Sequence, residues 1–259
     1  MGRVESSRSS PPNGRTVAGV AVAVLLGLLA VVSGLAAPAT ADPPTPAPTP
    51  TERFVIALYT DFLGRPPTDV ERTSTAQQID SGVLTRPEAA VGVSRTYEFA
   101  AEVVNRFYRT MLGRDGEPTG VDYWVNEIRS GHRTEAQVAG QILASDEFFD
   151  GAGGGTVNGF VTALYTRVLG RAPDPDGLNY WVQRAASYGR YDVAASFYQT
   201  PEALYGRVSV LYESLLGRLP DPGGAQYWAG RLAAEGDIAV AAALAGSPEY
   251  YDRAQSSPI

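Results

Sequence analysis

The sequence predicts an all-α fold: tandem three-helix repeats packed as a helical bundle. Three observations carry that prediction. A glycine-to-tryptophan phrase recurs at fixed spacing, apolar residues between the loop signals fall three and four apart, and no segment alternates apolar and polar residues as a half-buried strand would. The phrase reads LGRDGEPTGVDYW at Leu112–Trp124, LGRAPDPDGLNYW at Leu169–Trp181 and LGRLPDPGGAQYW at Leu216–Trp228. Gly113 to Trp124, Gly170 to Trp181 and Gly217 to Trp228 are each 11 residues. A degenerate copy, LGRPPTD at Leu63–Asp69, lacks the Tyr-Trp pair. A tyrosine (Tyr59, Tyr108, Tyr165, Tyr212) stands five residues before each glycine. A Ser/Thr-x-Glu signature follows each glycine, at Thr96/Glu98, Ser145/Glu147, Thr200/Glu202 and Ser247/Glu249, after 32, 32, 30 and 30 residues. The glycine-to-glycine periods are 49, 57 and 47, and the longest contains the insertion GAGGG at Gly151–Gly155. The chain therefore holds four copies, the first divergent.

Residues 1–41 read as a secretory signal peptide. Arg3, Arg8 and Arg15 precede an apolar run from about Val17 to Ala37, and Ala39-Thr40-Ala41 fits the small-x-small cleavage pattern. An uncleaved signal anchor is the alternative, because a run of that length can span a bilayer. Residues 42–51, DPPTPAPTPT, read as a polyproline II spacer. Helical repeats 1–2 are expected over 52–150, a glycine-rich hinge at 151–155, repeats 3–4 over 156–251 and a tail at 252–259. The hinge leaves two arrangements open: two paired-repeat lobes in contact, which is favoured, or one continuous bundle.

Within a unit, TPEALYGRVSVLYESLLG illustrates the opening helix. Thr200 suits the N-cap, Pro201 the first helical position, and Glu202 the positive end of the helix dipole. Leu204, Val208, Leu211, Tyr212, Leu215 and Leu216 make one apolar face; Gly217 then suits a left-handed stop, and Pro220 prevents continuation. A second helix carries the Tyr-Trp pair and stops near Gly131, Gly189 or Gly236. A third follows, with a capping box at Thr134 and Gln137 and with Asp192 and Asp237 as expected caps. Asp174 and Asp221 are expected to set the turn and cap the Tyr-Trp helices.

Composition excludes several functions. There is no cysteine, so disulfides and thiolate chemistry are out. The formal charge is −7, and removing residues 1–41 takes away three arginines and one glutamate, which makes the remainder more acidic still. Nucleic acid and anionic membrane surfaces are therefore poor partners. No membrane span is expected after signal cleavage, since no later run is apolar for long enough. His132, the single histidine, sits in the polar SGHRT with no triad or metal partner. A calcium loop starting at Asp174 fails on spacing, because glycine comes too early and the twelfth residue is Ala185. Accordingly no catalytic residue, metal or cofactor is expected, and the protein is read as not an enzyme.

The pattern Tyr-x3-Leu-Gly-Arg, Pro-Asp, Gly-x2-Tyr-Trp resembles the bacterial domain-of-unknown-function family 4214, on Tyr165, Leu169, Gly170, Arg171, Pro173, Asp174, Gly177, Tyr180, Trp181 and their equivalents. That family is helical and distantly similar to the phycobilisome linker domain. The resemblance implies an extracellular accessory or interaction module and carries no catalytic residue onto this chain.

Two residue sets remain as candidates for binding. Tyr123, Tyr180 and Tyr227, with Trp124, Trp181 and Trp228, could form stacking platforms for sugars. A tryptophan buried in each unit's core with tyrosine at its edge is the favoured arrangement. Arg114, Arg171 and Arg218, with Arg65 in the first copy, follow the stop glycines Gly113, Gly170 and Gly217. They are expected to pair with a Ser/Thr-x-Glu glutamate in a buried or half-buried structural ion pair. A carboxylate-bearing glycan held across them is the sharper alternative. The functional expectation is a secreted or cell-surface, non-enzymatic binding module whose partner is a cell-envelope polysaccharide or a surface protein. A self-associating assembly module of the cell surface is the second reading, and a secreted hydrolase the third.

Overall fold

A computed structural model describes residues 47–256. The signal segment, the first residues of the spacer and the end of the tail lie outside the described residues. The described residues form one compact unit. The described residues contain twelve α-helices, three π-helical turns and no strand.

The first copy comprises α1 (Pro50–Leu63), α2 (Asp69–Asp80) and α3 (Arg86–Ser94). The helix starts earlier than the composition of the spacer implies, because Thr49 and Glu52 close a capping box around Pro50. The second copy comprises α4 (Tyr97–Phe107), prolonged by a π turn at Tyr108–Leu112, then α5 (Pro118–Arg129) and α6 (Glu135–Ala144). The third opens with a π turn at Phe148–Ala152, continues as α7 (Val157–Leu164) and a π turn at Tyr165–Leu169, and ends with α8 (Pro175–Tyr198). Gly189, at φ 83°, breaks α8 into the expected second and third helices. The fourth comprises α9 (Pro201–Leu216), α10 (Pro222–Glu235) and α11 (Asp237–Ala245), and α12 (Pro248–Ser256) follows.

Each opening helix ends as the sequence demands. Gly64, Gly113, Gly170 and Gly217 all take left-handed φ between 66° and 75°. The Tyr-Trp helices of copies three and four are capped by Asp174 and Asp221, which accept the amide N–H of Gly177 at 2.8 Å and of Gly224 at 2.9 Å. Asp192 and Asp237 are not caps. Asp192 pairs with Arg184 at 2.7 Å, and α11 starts from Gly236 with no side-chain cap of its own.

The glycine-rich segment is a packed corner, not a hinge. It breaks the opening helix of copy three in two, and Thr156 recaps the restart by accepting the Gly159 N–H at 3.0 Å. A Cβ on Gly153 would stand 2.9 Å from the Cα of Phe160, and one on Gly159 would stand 1.9 Å from the carbonyl oxygen of Gly153. Those glycines let two backbones touch.

The two-lobe expectation is not met either. Copies two and three pack through α6 against α8, whereas copy four packs on copy one through α11 against α3 and α12 against α1. Gly140 faces Ala195, and Gly246 faces Pro87, where small residues let the helices approach closely. The ends of the folded unit are tied together: Tyr250 donates to Asp61 at 2.9 Å, and Arg253 meets the same carboxylate at 3.0 Å. One core runs through all four copies, with Phe54, Phe62, Phe148, Phe160 and Phe197 almost fully buried. Burying such a side chain contributes about 1.5–3 kcal/mol, so short helices are held mainly by their neighbours.

Candidate functional site

Copy by copy, the same three residues assemble at each helix corner. The stop glycine turns the chain so that the following arginine lies against the opening helix. Its guanidinium sits over the ring of the tyrosine six residues earlier: Arg65 on Tyr59 at 5.5 Å, Arg114 on Tyr108 at 5.1 Å, Arg171 on Tyr165 at 4.9 Å, and Arg218 on Tyr212 at 5.2 Å. It then grips the Ser/Thr-x-Glu glutamate two-pronged, through Nε and Nη2. Arg114 reaches Glu147 at 2.5 and 2.7 Å, Arg171 reaches Glu202 at 2.6 and 2.8 Å, and Arg65 reaches Glu98 at 2.5 and 2.7 Å. Arg218 holds Glu249 in the same way. The remaining nitrogen, Nη1, donates to the next residue's carbonyl, as from Arg114 to Asp115 at 2.9 Å. The arginine beside each of Glu147, Glu202 and Glu249 holds that carboxyl below the usual carboxylate range. In the first copy Arg65 also grips Glu71, whose carboxyl is lowered to about 2.

These clasps join the first corner of one copy to the start of the next opening helix, so the expected pairing is present. The corner lies at the surface, and the arginine side chains keep 34–45% of their exposure: Arg65 and Arg114 are half-buried, as one of the expected arrangements has it, and Arg171 and Arg218 are more open. With all three nitrogens of each guanidinium already donating, Arg114, Arg171 and Arg218 have little left for an outside carboxylate.

The same tyrosines explain a second glycine. A Cβ on Gly177 would stand 2.3 Å from the Tyr165 hydroxyl, and the equivalents at Gly120 and Gly224 would stand 2.9 and 3.3 Å from those of Tyr108 and Tyr212. The glycine of Gly-x2-Tyr-Trp is thus the seat for the tyrosine of the opening helix.

A family model described as a domain of unknown function (DUF4214) matches residues 46–103, 100–152, 139–205 and 205–254. The chain belongs to the DUF4214 family. Each match contains both members of one clasp, from Arg65 and Glu98 in the first to Arg218 and Glu249 in the last. A DUF4214 unit thus includes the start of the next opening helix, and α12 supplies that piece to the fourth. No curated protein and no solved structure matches the chain.

The aromatic pairs are placed differently from the expectation. Trp124, Trp181 and Trp228 are half-buried against the core, not sunk within it. Tyr123, Tyr180 and Tyr227 are 52, 55 and 58% exposed, each ring edge-to-face with its own tryptophan at 4.7 to 5.1 Å. Adjacent helix residues diverge by about a quarter turn, which puts one ring inward and the other outward. His132 lies on the surface near Glu127. Among the described residues, no group of three or more His, Asp or Glu is placed to hold a metal ion.

Sequence reasoning missed one polar cluster. Glu135 is buried at the start of α6, where its carboxylate accepts the Ile238 N–H at 3.1 Å and so caps α11 from another copy. Beside it, Arg207 pairs with Asp237 at 3.0 Å and lies 3.9 Å over the Tyr198 ring. Burial, and then the charge of Asp237, push the Glu135 carboxyl up to about 7. These residues are separated by up to about a hundred positions and belong to no repeated phrase, so only their meeting identifies them.

Proposed function

We propose that this DUF4214 protein is a non-enzymatic binding module of the cell exterior that takes a cell-envelope polysaccharide on its exposed tyrosines. One observation carries the reading: Tyr123, Tyr180 and Tyr227 occupy the same place in three copies and keep more than half their exposure. A half-exposed phenol backed by a fixed tryptophan is a rigid amphipathic surface, and that suits the apolar face and polar rim of a sugar ring. Repetition favours a polymer, because several weak contacts on one chain add through effective concentration. Placement outside the cell rests on the signal pattern of residues 1–41, and the absence of a catalytic role on the lack of any motif for one. The clasp arginines support the fold in this reading and do not bind.

The test is a pull-down of the purified protein on cell-envelope polysaccharide, alongside a glycan array. The triple variant Tyr123→Ala/Tyr180→Ala/Tyr227→Ala should lose at least tenfold in retention while keeping its unfolding midpoint. Undiminished retention by the variant, or no retention of the native protein on any envelope fraction, would reject the proposal.

A further inference from the structure

A cavity of about 350 Å³ opens where copies two, three and four meet, between α4, the π turns at 108–112 and 165–169, α9 and α11. That volume lies at the small end of the range for small-molecule sites, roughly 300–1,000 Å³. Its walls are mostly apolar, formed by Phe99, Phe107, Met111 and Leu211 among others. Its charges are lopsided: Arg106, Arg167 and Arg207 line it against a single carboxylate, Asp237. In a chain of net charge −7 with arginine as its only cation, that local excess is against the trend.

The three arginines differ in state. Arg207 is held by Asp237 and by the Tyr198 ring, and its Nε and Nη2 are buried with no hydrogen-bond acceptor. Asp237 therefore meets only part of the hydrogen-bonding capacity of Arg207, and the neighbouring Glu135 adds charge without a hydrogen bond, so two buried donors still lack an acceptor. Arg106 and Arg167 are exposed; among the described residues neither lies within ion-pair distance of a carboxylate, and Arg106 acts on Asp237 only across a longer distance. This contrasts with the clasp arginines, whose charge is consumed. An apolar pocket lined by unspent guanidiniums matches one chemistry: an apolar body carrying one anionic head, with guanidinium and carboxylate free to pair through two hydrogen bonds.

We propose that this junction cavity binds a small amphipathic carboxylate, a short acyl chain lying among Phe99, Phe107, Met111 and Leu211 with its head at Arg106 and Arg167. None of Tyr123, Tyr180 and Tyr227 lines this cavity, and neither proposal depends on the other.

Two positions allow the cavity to be closed without disturbing the core. Gly206 lines it within α9, and a Cβ there meets nothing within 4 Å. Gly206→Leu should fill the space while improving helix propensity. Val210, one turn on, also lines it and is 56% exposed, so Val210→Trp is an independent block.

The experiment is calorimetric titration of the full chain with octanoate, octanol and acetate. Octanoate should saturate one site, octanol should bind at least tenfold more weakly, and acetate should not bind. Arg106→Gln/Arg167→Gln should weaken octanoate at least tenfold, and Gly206→Leu and Val210→Trp should each abolish it at unchanged or higher unfolding temperature. Equal affinity for octanol and octanoate, no saturable octanoate binding, or binding undiminished in the two blocking variants would overturn the proposal.

Discussion

The clasp shows how little energy a repeated motif needs in order to matter. Exposed ion pairs contribute about 0–1 kcal/mol each, and stacking of a partly solvated guanidinium on the clasp tyrosine, itself buried or half-buried, adds about 0.5–1 kcal/mol. Glu202→Gln should therefore lower stability by no more than about 1 kcal/mol in urea unfolding. A double-mutant cycle with Arg171→Gln should show a positive coupling between the two. Because the folded-state carboxyls of Glu147, Glu202 and Glu249 lie below their ordinary values, this contribution is present above the ordinary carboxylate range and is lost as pH falls through the lowered values. Steric fit at the same corner is worth more. Gly177→Ala forces a methyl against the Tyr165 hydroxyl, so we expect a loss of about 1–3 kcal/mol. The same substitution in a Tyr165→Phe background should recover most of that. The pairing of arginine with the Ser/Thr-x-Glu glutamate was legible because both recur at constant separation. The glycine seat was not, since a spacing of twelve residues between Tyr165 and Gly177 says nothing about which atoms meet.

Helix ends were the most readable elements, because a cap is a local interaction between residues three apart. Asp221 accepts from Gly224 at the start of α10, and Asp221→Ala should cost about 1 kcal/mol, measured by the shift in denaturant midpoint. Where capping is not local, the sequence misleads. Asp237 has the right residue type and place for a cap on α11, yet Glu135 of α6 does that work. Gly236, at φ 88° and ψ 171°, leads straight from α10 into α11 with no cap side chain between them, and this leaves Asp237 facing Arg207. Glycine runs are ambiguous in the same way. GAGGG announces that side chains are unwelcome, but freedom and crowding both produce that composition, and here Gly153 is glycine because Phe160 presses on it.

The copies are coupled through Glu135, which makes the whole molecule sensitive to pH. In the unfolded chain this carboxyl titrates in the ordinary glutamate range, and in the folded protein at about 7. Between those values the folded state binds more protons, so its stability falls as pH rises through that window, and the full penalty applies above it. Glu135→Gln keeps an acceptor for the Ile238 N–H and removes the charge. It should raise the unfolding midpoint at pH 8, by at most about 3 kcal/mol in stability, and change little near pH 4.5. An equal gain at both pH values would show that the buried charge is not the cause. With the clasps weakening in acid and this group weakening in base, stability should be greatest in the mildly acidic range.

Local and repeated information settled the helices, their stops, the four-copy order and the clasp, because helix periodicity, caps and constant spacing depend on residues close in sequence or on comparison among copies. Contacts between distant copies were settled by packing alone. That copy four folds back on copy one, that a glycine-rich insertion became a crowded corner, that the tryptophans stop half-way into the core, and that three arginines surround an apolar cavity all depend on which helix faces meet. An amphipathic helix declares that one face must be covered. It does not declare by what, because any apolar face of similar size satisfies the hydrophobic effect about equally well.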